Sequence, residues 1–299
     1  MLVRRKIAVI GGDKRSKYLA QLLVDDKNDV YVYGYDSVED MSGVKYAAGL
    51  LQAVEECDYI VGPIPFAENI SIFAPLYSGS IPLNELIECI DSCPGREKVI
   101  FGGAMNNTVL DLLKEKKCRV VDLLKREDLS VLNAIASAEG AVQTAMEKMY
   151  ITIHGCKALV IGYGRIGKIL SKILTGLGAK VTVTARKNSD IAWINASGLR
   201  HEYTENIKAL LENKKFDVVF NTVPSLILDA EAILKMMKSN EDCLIIDLAS
   251  IPGGVDFASA ENMGANVYWV RSLPGKVAPL TSAEYIKTAM YNCIHELNL

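Results

Sequence analysis

Residues 157–187 read KALVIGYGRIGKILSKILTGLGAKVTVTARK, and this stretch decides the fold. A short apolar run, 157–161, leads directly into the glycine pattern Gly162-x-Gly164-x-x-Gly167. A helix-length stretch and a second apolar run follow. Strand, glycine turn, helix and strand in this order predict a Rossmann-type βαβ unit whose turn binds the pyrophosphate of a dinucleotide.

Each glycine has a role in that interpretation. Gly162 allows the tight turn, Gly164 lets the backbone approach the pyrophosphate, and Gly167 lets the helix pack close to the strand. Free amides and a partial positive charge at the helix N-terminus attract phosphate. The alternative is a unit of the same fold that binds no nucleotide. The predicted cofactor-binding residues of the turn are Gly162, Tyr163, Gly164, Arg165, Ile166 and Gly167.

The end of the second strand indicates which dinucleotide binds. An NAD site places Asp or Glu there for the ribose 2′-hydroxyl, but residues 185–189 (ARKNS) contain no carboxylate, and Asp190 is the first one after the strand. Arg186 can hold a 2′-phosphate with its planar fork of donors, whereas a carboxylate at this position would repel the phosphate. We therefore expect NADP rather than NAD, with Ala185, Arg186 and Ser189 among its contacts. The alternative is that Arg186 is only a solvated loop residue.

Two later strands also end in polar segments, 221–225 (NTVPS) and 247–254 (DLASIPGG). Ligands of open α/β sheets lie beyond the carboxyl ends of the strands, so we expect both segments to line the nicotinamide side of the site. The alternative is that Pro and Gly merely end the strands. The predicted contacts are Thr222, Val223, Pro224, Leu248, Ala249 and Ser250.

Strand-length apolar runs alternate with helix-length stretches along almost the whole chain, which predicts parallel sheets built from βαβ units. The runs are 6–10, 30–35, 58–62, 98–102 and 119–123, then 157–162, 180–185, 217–221, 243–248 and 266–270. The helical stretch 130–149 separates the two sets. We expect two doubly wound, parallel-sheet (Rossmann-like) α/β domains with a cleft between them: an N-terminal substrate domain, 1–131, completed by a C-terminal helix, 278–299, and an NADP-binding domain, 132–277.

The composition restricts the class of protein. The 299 residues are 50% hydrophobic and 23% charged, which excludes a disordered chain, and the net charge of −3 offers no electrostatic attraction for nucleic acid or an anionic membrane. The apolar run at Ile7–Ile10 meets Gly-Gly-Asp, which predicts a strand and not a signal peptide. Seven scattered cysteines without a C-x-x-C pair predict reduced thiols in a cytoplasmic protein, and three distant histidines predict no metal site.

Cations and amides near strand ends are the candidate substrate contacts. The turn 11–16 (GGDKRS) lacks two of the three fingerprint glycines, yet with Arg15 it can hold a small anion; the alternative is a solvated basic turn. The predicted substrate-binding residues are Gly12, Arg15, Asn106 and Arg126, although Arg126 and Asp128 would also suit a surface ion pair. Lys276, which follows a Pro-Gly turn, and Glu139, on the connecting helix, are the candidates for catalysis, and each is otherwise a solvated side chain.

Seven segments occur along the chain in one order: IAVIGGDKR (7–15), KREDLSVLNAIASAEGAV (125–142), YITIHG (150–155), GYGRIG (162–167), NTVPSLIL (221–228), DLASIPGGVDF (247–257) and LPGKVAP (273–279). Together they resemble the family of dipicolinate synthase A subunits from endospore-forming bacteria, over nearly the full length. The start of the second half also resembles 2-hydroxyacid and alanine dehydrogenases, which share the two-domain plan.

The resemblance implies that dipicolinate is formed from a hydroxylated tetrahydrodipicolinate by loss of water and of a hydride, during sporulation, in the cytoplasm of the mother cell. It implies that the partner is a flavoprotein-like B subunit, and we also expect a homo-oligomer. A dicarboxylate needs two separated cations, and Arg15, Arg126 and Lys276 are available. The open alternatives are an NAD(P)-dependent dehydrogenase of another 2-hydroxy or amino acid, and a nucleotide-binding scaffold without catalysis.

Overall fold

The computed structural model describes residues 4–37, 41–93, 97–114, 116 and 118–298. The chain forms two compact units, the first comprising 1–132 and 278–299 and the second 133–277. Each unit contains a six-stranded parallel sheet. The predicted fold class of two parallel-sheet α/β domains is therefore confirmed.

Unit 1 is a sheet with helices packed on it, and its strand order is β3-β2-β1-β4-β7-β8. Its strands are β1 (Lys6–Ile10), β2 (Asp29–Tyr33), β3 (Lys45–Tyr46), β4 (Tyr59–Val61), β7 (Lys98–Gly102) and β8 (Cys118–Asp122), with a small hairpin of β5 (Ala67–Glu68) and β6 (Ser71–Ile72). Its helices are α1 (Lys14–Asp25), α2 (Leu50–Glu56), α3 (Leu83–Asp91) and α4 (Asn107–Lys114), and α5 (Glu127–Lys148) begins in it.

Unit 2 repeats the plan with the strand order β11-β10-β9-β12-β13-β14. Its strands are β9 (Lys157–Ile161), β10 (Lys180–Ala185), β11 (Arg200–Tyr203), β12 (Val218–Asn221), β13 (Leu244–Asp247) and β14 (Val267–Trp269). Its helices are α6 (Arg165–Gly176), α7 (Asn188–Ala196), α8 (Ile207–Asn213), α9 (Ala230–Ser239), α10 (Phe257–Asn262) and α11 (Leu273–Val277). The strand order reverses at β9, so ligand contacts are expected at the carboxyl ends of β9, β10 and β12.

The last helix, α12 (Pro279–Glu296), belongs to the core of unit 1. Its buried face packs with strand and helix residues from the beginning of the chain, among them Val9 and Leu19. The members of that face are Ala283, Ile286, Ala289, Met290, Cys293 and Ile294. Apolar residues at i, i+3, i+4 and i+7 place these side chains on one side of a helix, which explains why this segment pairs with a sheet.

The differences from the predicted elements have simple causes. The pattern did not predict β3 and β11, because β3 has two exposed residues and β11 reads RHEY, too polar for a buried strand. The predicted Pro-Gly turn before Lys276 is wrong, since 273–277 form the short helix α11. Pro274 is tolerated there because the first turn of a helix needs no hydrogen bond from its backbone nitrogen.

Met290 tests how much α12 stabilises unit 1. Its side chain is fully buried, so Met290→Ala should lower the free energy of unfolding by about 2–5 kcal/mol in the transition that includes unit 1. Leu280 lies on the same helix and is 46% exposed, so Leu280→Ala should change stability by less than about 0.5 kcal/mol. Urea unfolding of both variants measures this, and equal losses would contradict the packing.

Candidate dinucleotide site

The turn after β9 needs glycine at its first position. Gly162 adopts a φ of 96°, in the left-handed region that favours glycine, and its amide donates to the Thr184 carbonyl at 2.9 Å. A side chain at 162 would also collide with Thr222 and Val223 from the turn after β12. Thr222 donates its hydroxyl to the carbonyl of Ile161 at 2.8 Å. The two turns are therefore in direct contact at the carboxyl ends of these central strands.

Gly167 and Gly164, the other two glycines of the pattern, differ in the reason why glycine is needed. A Cβ at Gly167 would overlap the carbonyl of Gly162, so glycine is required for α6 to start this close to β9. A Cβ at Gly164 would meet no atom within 4 Å, and the Gly164 φ of −78° suits any residue. The protein itself leaves the space at Gly164 open. This geometry fits the close approach of a pyrophosphate to the start of α6.

A cavity of about 260 Å³ opens at the carboxyl ends of the strands in unit 2. Its lining includes predicted residues from three turns: Gly162, Tyr163 and Gly164 after β9, Ala185 and Arg186 at the end of β10, and Thr222, Val223 and Pro224 after β12. Arg165, Ile166 and Gly167 form the first turn of α6, and Ser189 lies in the first turn of α7. Leu248, Ala249 and Ser250 follow β13 and do not line this cavity.

The charge at the end of β10 favours an anion. Arg186 and Lys187 both line the cavity, and both side chains are exposed. Neither makes an ion pair with a residue that the structure describes. Asp190, in the first turn of α7, also lines the cavity and is the one carboxylate in its described lining. Two cations against one carboxylate leave the β10 end positive and suited to a phosphate.

A buried Asn–Asp pair supports the turns, and the sequence-based predictions did not include it. Asn221 and Asp247 end β12 and β13 in register, and both are fully buried. Asn221 Nδ2 donates to Asp247 Oδ1 at 2.8 Å and to the Val223 carbonyl at 3.0 Å. Asp247 also accepts from the amides of Ala249, at 3.0 Å, and Gly254, at 2.8 Å. The signal available in the sequence was a polar residue closing each of two neighbouring apolar strands.

In unit 1 the glycine turn is closed by the chain itself. The amides of Gly11 and Gly12 donate to the carbonyls of Tyr33 and Phe73, each at 2.8 Å. Arg15 is 8% exposed, and its guanidinium binds the Asp13 carboxylate, at 2.9 Å, and the Ile64 carbonyl. The roles of Gly12 and Arg15 in substrate binding stay predictions. Their hydrogen bonds here stabilise the turn.

Arg126 and Asn106 have local partners as well. Arg126 binds Asp128 at 2.8 Å and Glu296, at the end of α12, at 2.7 Å. Hydrogen bonding to this guanidinium lowers the pKa of Asp128 to about 2. Asn106 is exposed, and its side chain accepts from the amide of Val109 in the first turn of α4. Their roles in substrate binding stay predictions.

The two catalytic candidates, Lys276 and Glu139, are exposed. Lys276 lies in α11 and Glu139 near the middle of α5. Neither side chain makes a hydrogen bond or ion pair within the part of the chain that the structure describes. Both groups are accessible to a ligand, and their catalytic roles stay predictions.

Other classes of site find no support in the described residues. No cluster of three or more His, Cys, Asp and Glu side chains among them has a metal-binding arrangement. None of the described helices has the length and apolar character that crossing a membrane requires. The seven cysteines are free thiols, and burial raises the pKa of Cys57 and of Cys243 to about 12. Such thiols are poor nucleophiles and belong to the cores.

A substitution at Gly164 tests dinucleotide binding without disturbing the fold. Gly164→Ala should leave the free energy of unfolding nearly unchanged, because the Cβ enters open space, yet weaken dinucleotide binding by about 10-fold or more by blocking the pyrophosphate. The matched control is Gly176→Ala at the end of α6, where a Cβ also meets nothing. This variant should bind the dinucleotide like the parent protein. Calorimetric titration measures both, and unchanged binding by Gly164→Ala would contradict the site.

Comparison with known proteins supports this description. Residues 6–124 match the model of the N-terminal domain of the dipicolinate synthase A subunit. Residues 111–245 match the NAD binding domain of D-isomer specific 2-hydroxyacid dehydrogenases. The second unit is therefore a dehydrogenase-type domain for a nicotinamide dinucleotide.

Similarity extends over the full chain. The A subunit of dipicolinate synthase from Bacillus subtilis (strain 168) is 32% identical, covering 99% of this chain and 98% of the relative. The crystal structure of the same protein from Bacillus halodurans has a TM-score of 0.88 at 29% identity, covering 98% and 99% of the two chains. An L-alanine dehydrogenase, 13% identical with a TM-score of 0.63 over 97% of this chain and 90% of its own, shares the fold alone. The chain belongs to the family of dipicolinate synthase A subunits.

Proposed function

We propose that this chain is an NADP-dependent oxidoreductase subunit that forms dipicolinate from a hydroxylated tetrahydrodipicolinate. The observation that carries the proposal is full-length similarity to the A subunit of dipicolinate synthase, joined to a dinucleotide turn with Arg186 at the end of β10. Loss of water from the substrate, together with removal of a hydride and a proton, yields the aromatic pyridine dicarboxylate. Bound NADP⁺ would accept the hydride.

The residues of this chain have separate tasks in the proposal. The turn after β9 and the start of α6 hold the pyrophosphate, and Arg186, with Lys187, holds the 2′-phosphate. Lys276 and Glu139 are the candidates for moving the proton, and Gly12, Arg15, Asn106 and Arg126 for binding the substrate. The proposal includes a partner, the flavoprotein-like B subunit, together with a homo-oligomer of this chain and action in the cytoplasm of the mother cell during sporulation.

The test is turnover of the hydroxylated tetrahydrodipicolinate with NADP⁺, with and without the B subunit. We expect absorbance of the pyridine product and an equal amount of NADPH, both of which should be lost when NADP⁺ or the chain is omitted. NADPH binding without product in either arm would indicate a nucleotide-binding scaffold. Turnover of another 2-hydroxy or amino acid instead would indicate a different dehydrogenase.

Arg186 determines the cofactor in this proposal. Arg186→Asp should raise the Kd for NADPH by at least about 10-fold, because one charge-assisted contact to phosphate contributes about 1.5–3 kcal/mol, and should affect NADH less. Arg200→Asp is the control, since Arg200 is also exposed but begins β11, at the amino ends of the strands, whereas Arg186 follows the carboxyl end of β10. Fluorescence titration with both nucleotides measures this. Equal loss for NADPH and NADH, or loss for neither, would contradict the assignment.

A further inference from the structure

The guanidinium of Arg271 has no hydrogen-bond acceptor among the described residues. It lies at the carboxyl ends of the unit 2 strands, which we call the ligand edge of this unit. Trp269 ends β14 in register with Asp247 of β13, and Arg271 follows two residues later, beyond the carboxyl end of the sheet. The side chain of Arg271 is exposed. It makes no hydrogen bond or ion pair with any residue that the structure describes. It lies against the Trp269 ring instead.

The indole of Trp269 holds this guanidinium in place. Arg271 Cζ lies 5.1 Å from the centre of the indole, within the range of a cation–π interaction. The indole is itself fixed, because its Nε1 donates to the Ala249 carbonyl at 2.9 Å and its ring stacks on Phe257 at 5.1 Å. A stacked guanidinium has already lost rotamer freedom, so binding an anion costs it less conformational entropy than it costs a freely rotating lysine.

The position of Arg271 excludes a second contact with the 2′-phosphate. Arg186 follows β10 and Arg271 follows β14, which are four strand spacings apart in the sheet order. At about 4.8 Å per spacing the two strands are about 19 Å apart, too far for both side chains to bind one phosphate. A dinucleotide whose 2′-phosphate lies at β10 crosses β9 toward β12 and β13, so its nicotinamide end points to the β14 side.

We propose that Arg271, held on Trp269, binds a carboxylate group of the substrate beside the nicotinamide. The assignment rests on the proposed function, which makes the substrate a dicarboxylate. A guanidinium presents two parallel N–H donors that match the two oxygens of a carboxylate. The other arginines considered for this role, Arg15 and Arg126, already bind carboxylates of the chain. Arg271 donates to none of the described residues, so its N–H groups are available to a ligand.

The experiment titrates pyridine-2,6-dicarboxylate into the full-length protein saturated with NADPH. Arg271→Gln should raise the Kd for the dicarboxylate by about 10- to 100-fold, the effect of losing a charge-assisted bidentate contact. Arg271→Lys keeps the charge without the planar fork, so its Kd for the dicarboxylate should lie between those of the parent protein and Arg271→Gln. Trp269→Leu removes the surface that holds the guanidinium and should weaken dicarboxylate binding less than Arg271→Gln.

Two controls separate an anchor from a general loss of structure. The Kd for NADPH should be the same in the parent protein and in the Arg271 variants. Arg200→Gln should bind the dicarboxylate like the parent, because Arg200 lies at the amino ends of the strands and Arg271 lies beyond their carboxyl ends. In turnover, Arg271→Gln should raise KM for the substrate far more than it lowers kcat.

The outcomes distinguish this inference from the proposed function. Dicarboxylate binding by the parent protein that Arg271→Gln leaves unchanged would overturn the anchor alone. A parent protein that binds NADPH but no dicarboxylate would overturn the assigned substrate and the anchor together. Loss of NADPH binding in Arg271→Gln would assign the side chain a structural role instead.

Discussion

The hydrogen bonds to the Asp247 carboxylate hold together the turns at the carboxyl ends of the unit 2 strands. A fully buried carboxylate is costly unless donors surround it, and here three N–H groups do so, from Asn221, Ala249 and Gly254. These donors belong to the segments 221–225 and 247–254, which begin with the last residues of β12 and β13. Because both segments share one acceptor, neither can move far without leaving a buried polar group unsatisfied. The turns beyond the sheet are therefore already ordered before any ligand binds.

The same network extends to the next strand. Ala249 donates its amide to Asp247 and accepts the indole N–H of Trp269 with its carbonyl. A continuous series of hydrogen bonds thus joins the ends of β12, β13 and β14. The cation–π contact adds Arg271 to the series. A ligand that met Arg271 would bind to a surface whose position is determined by the buried carboxylate and not by a mobile loop.

Much of unit 2 follows from the sequence because its decisive interactions are local. The glycine pattern, the strand before it and Arg186 after β10 all lie within the stretch 157–187, and the structure has β10 at its predicted bounds, 180–185. The sheet-edge strands β3 and β11 were not predicted, because short or polar strands are formed by pairing with a neighbour and lack a periodic signal of their own. The buried pair Asn221–Asp247 spans 26 residues, so its hydrogen bond depends on the sheet register.

Whether an arginine is available to a ligand depends on the acceptors that the fold places near it. Arg15 and Arg126 each have an aspartate two residues away, and each pairs with it in the structure. Their further partners, Ile64 and Glu296, come from 49 and 170 residues away, which no local pattern indicates. Arg271 has a tryptophan two residues before it instead. Trp269 and Arg271 lie two residues apart where β14 ends, so both side chains can lie on the same side of the extended chain. Asp13 and Asp128 supply competing acceptors at the starts of α1 and α5, whereas the indole supplies a surface that leaves the N–H donors of Arg271 free. In this chain the sequence Trp-x-Arg after β14 therefore leaves the guanidinium without a carboxylate partner among the described residues, whereas Asp13-x-Arg15 and Arg126-x-Asp128 form ion pairs.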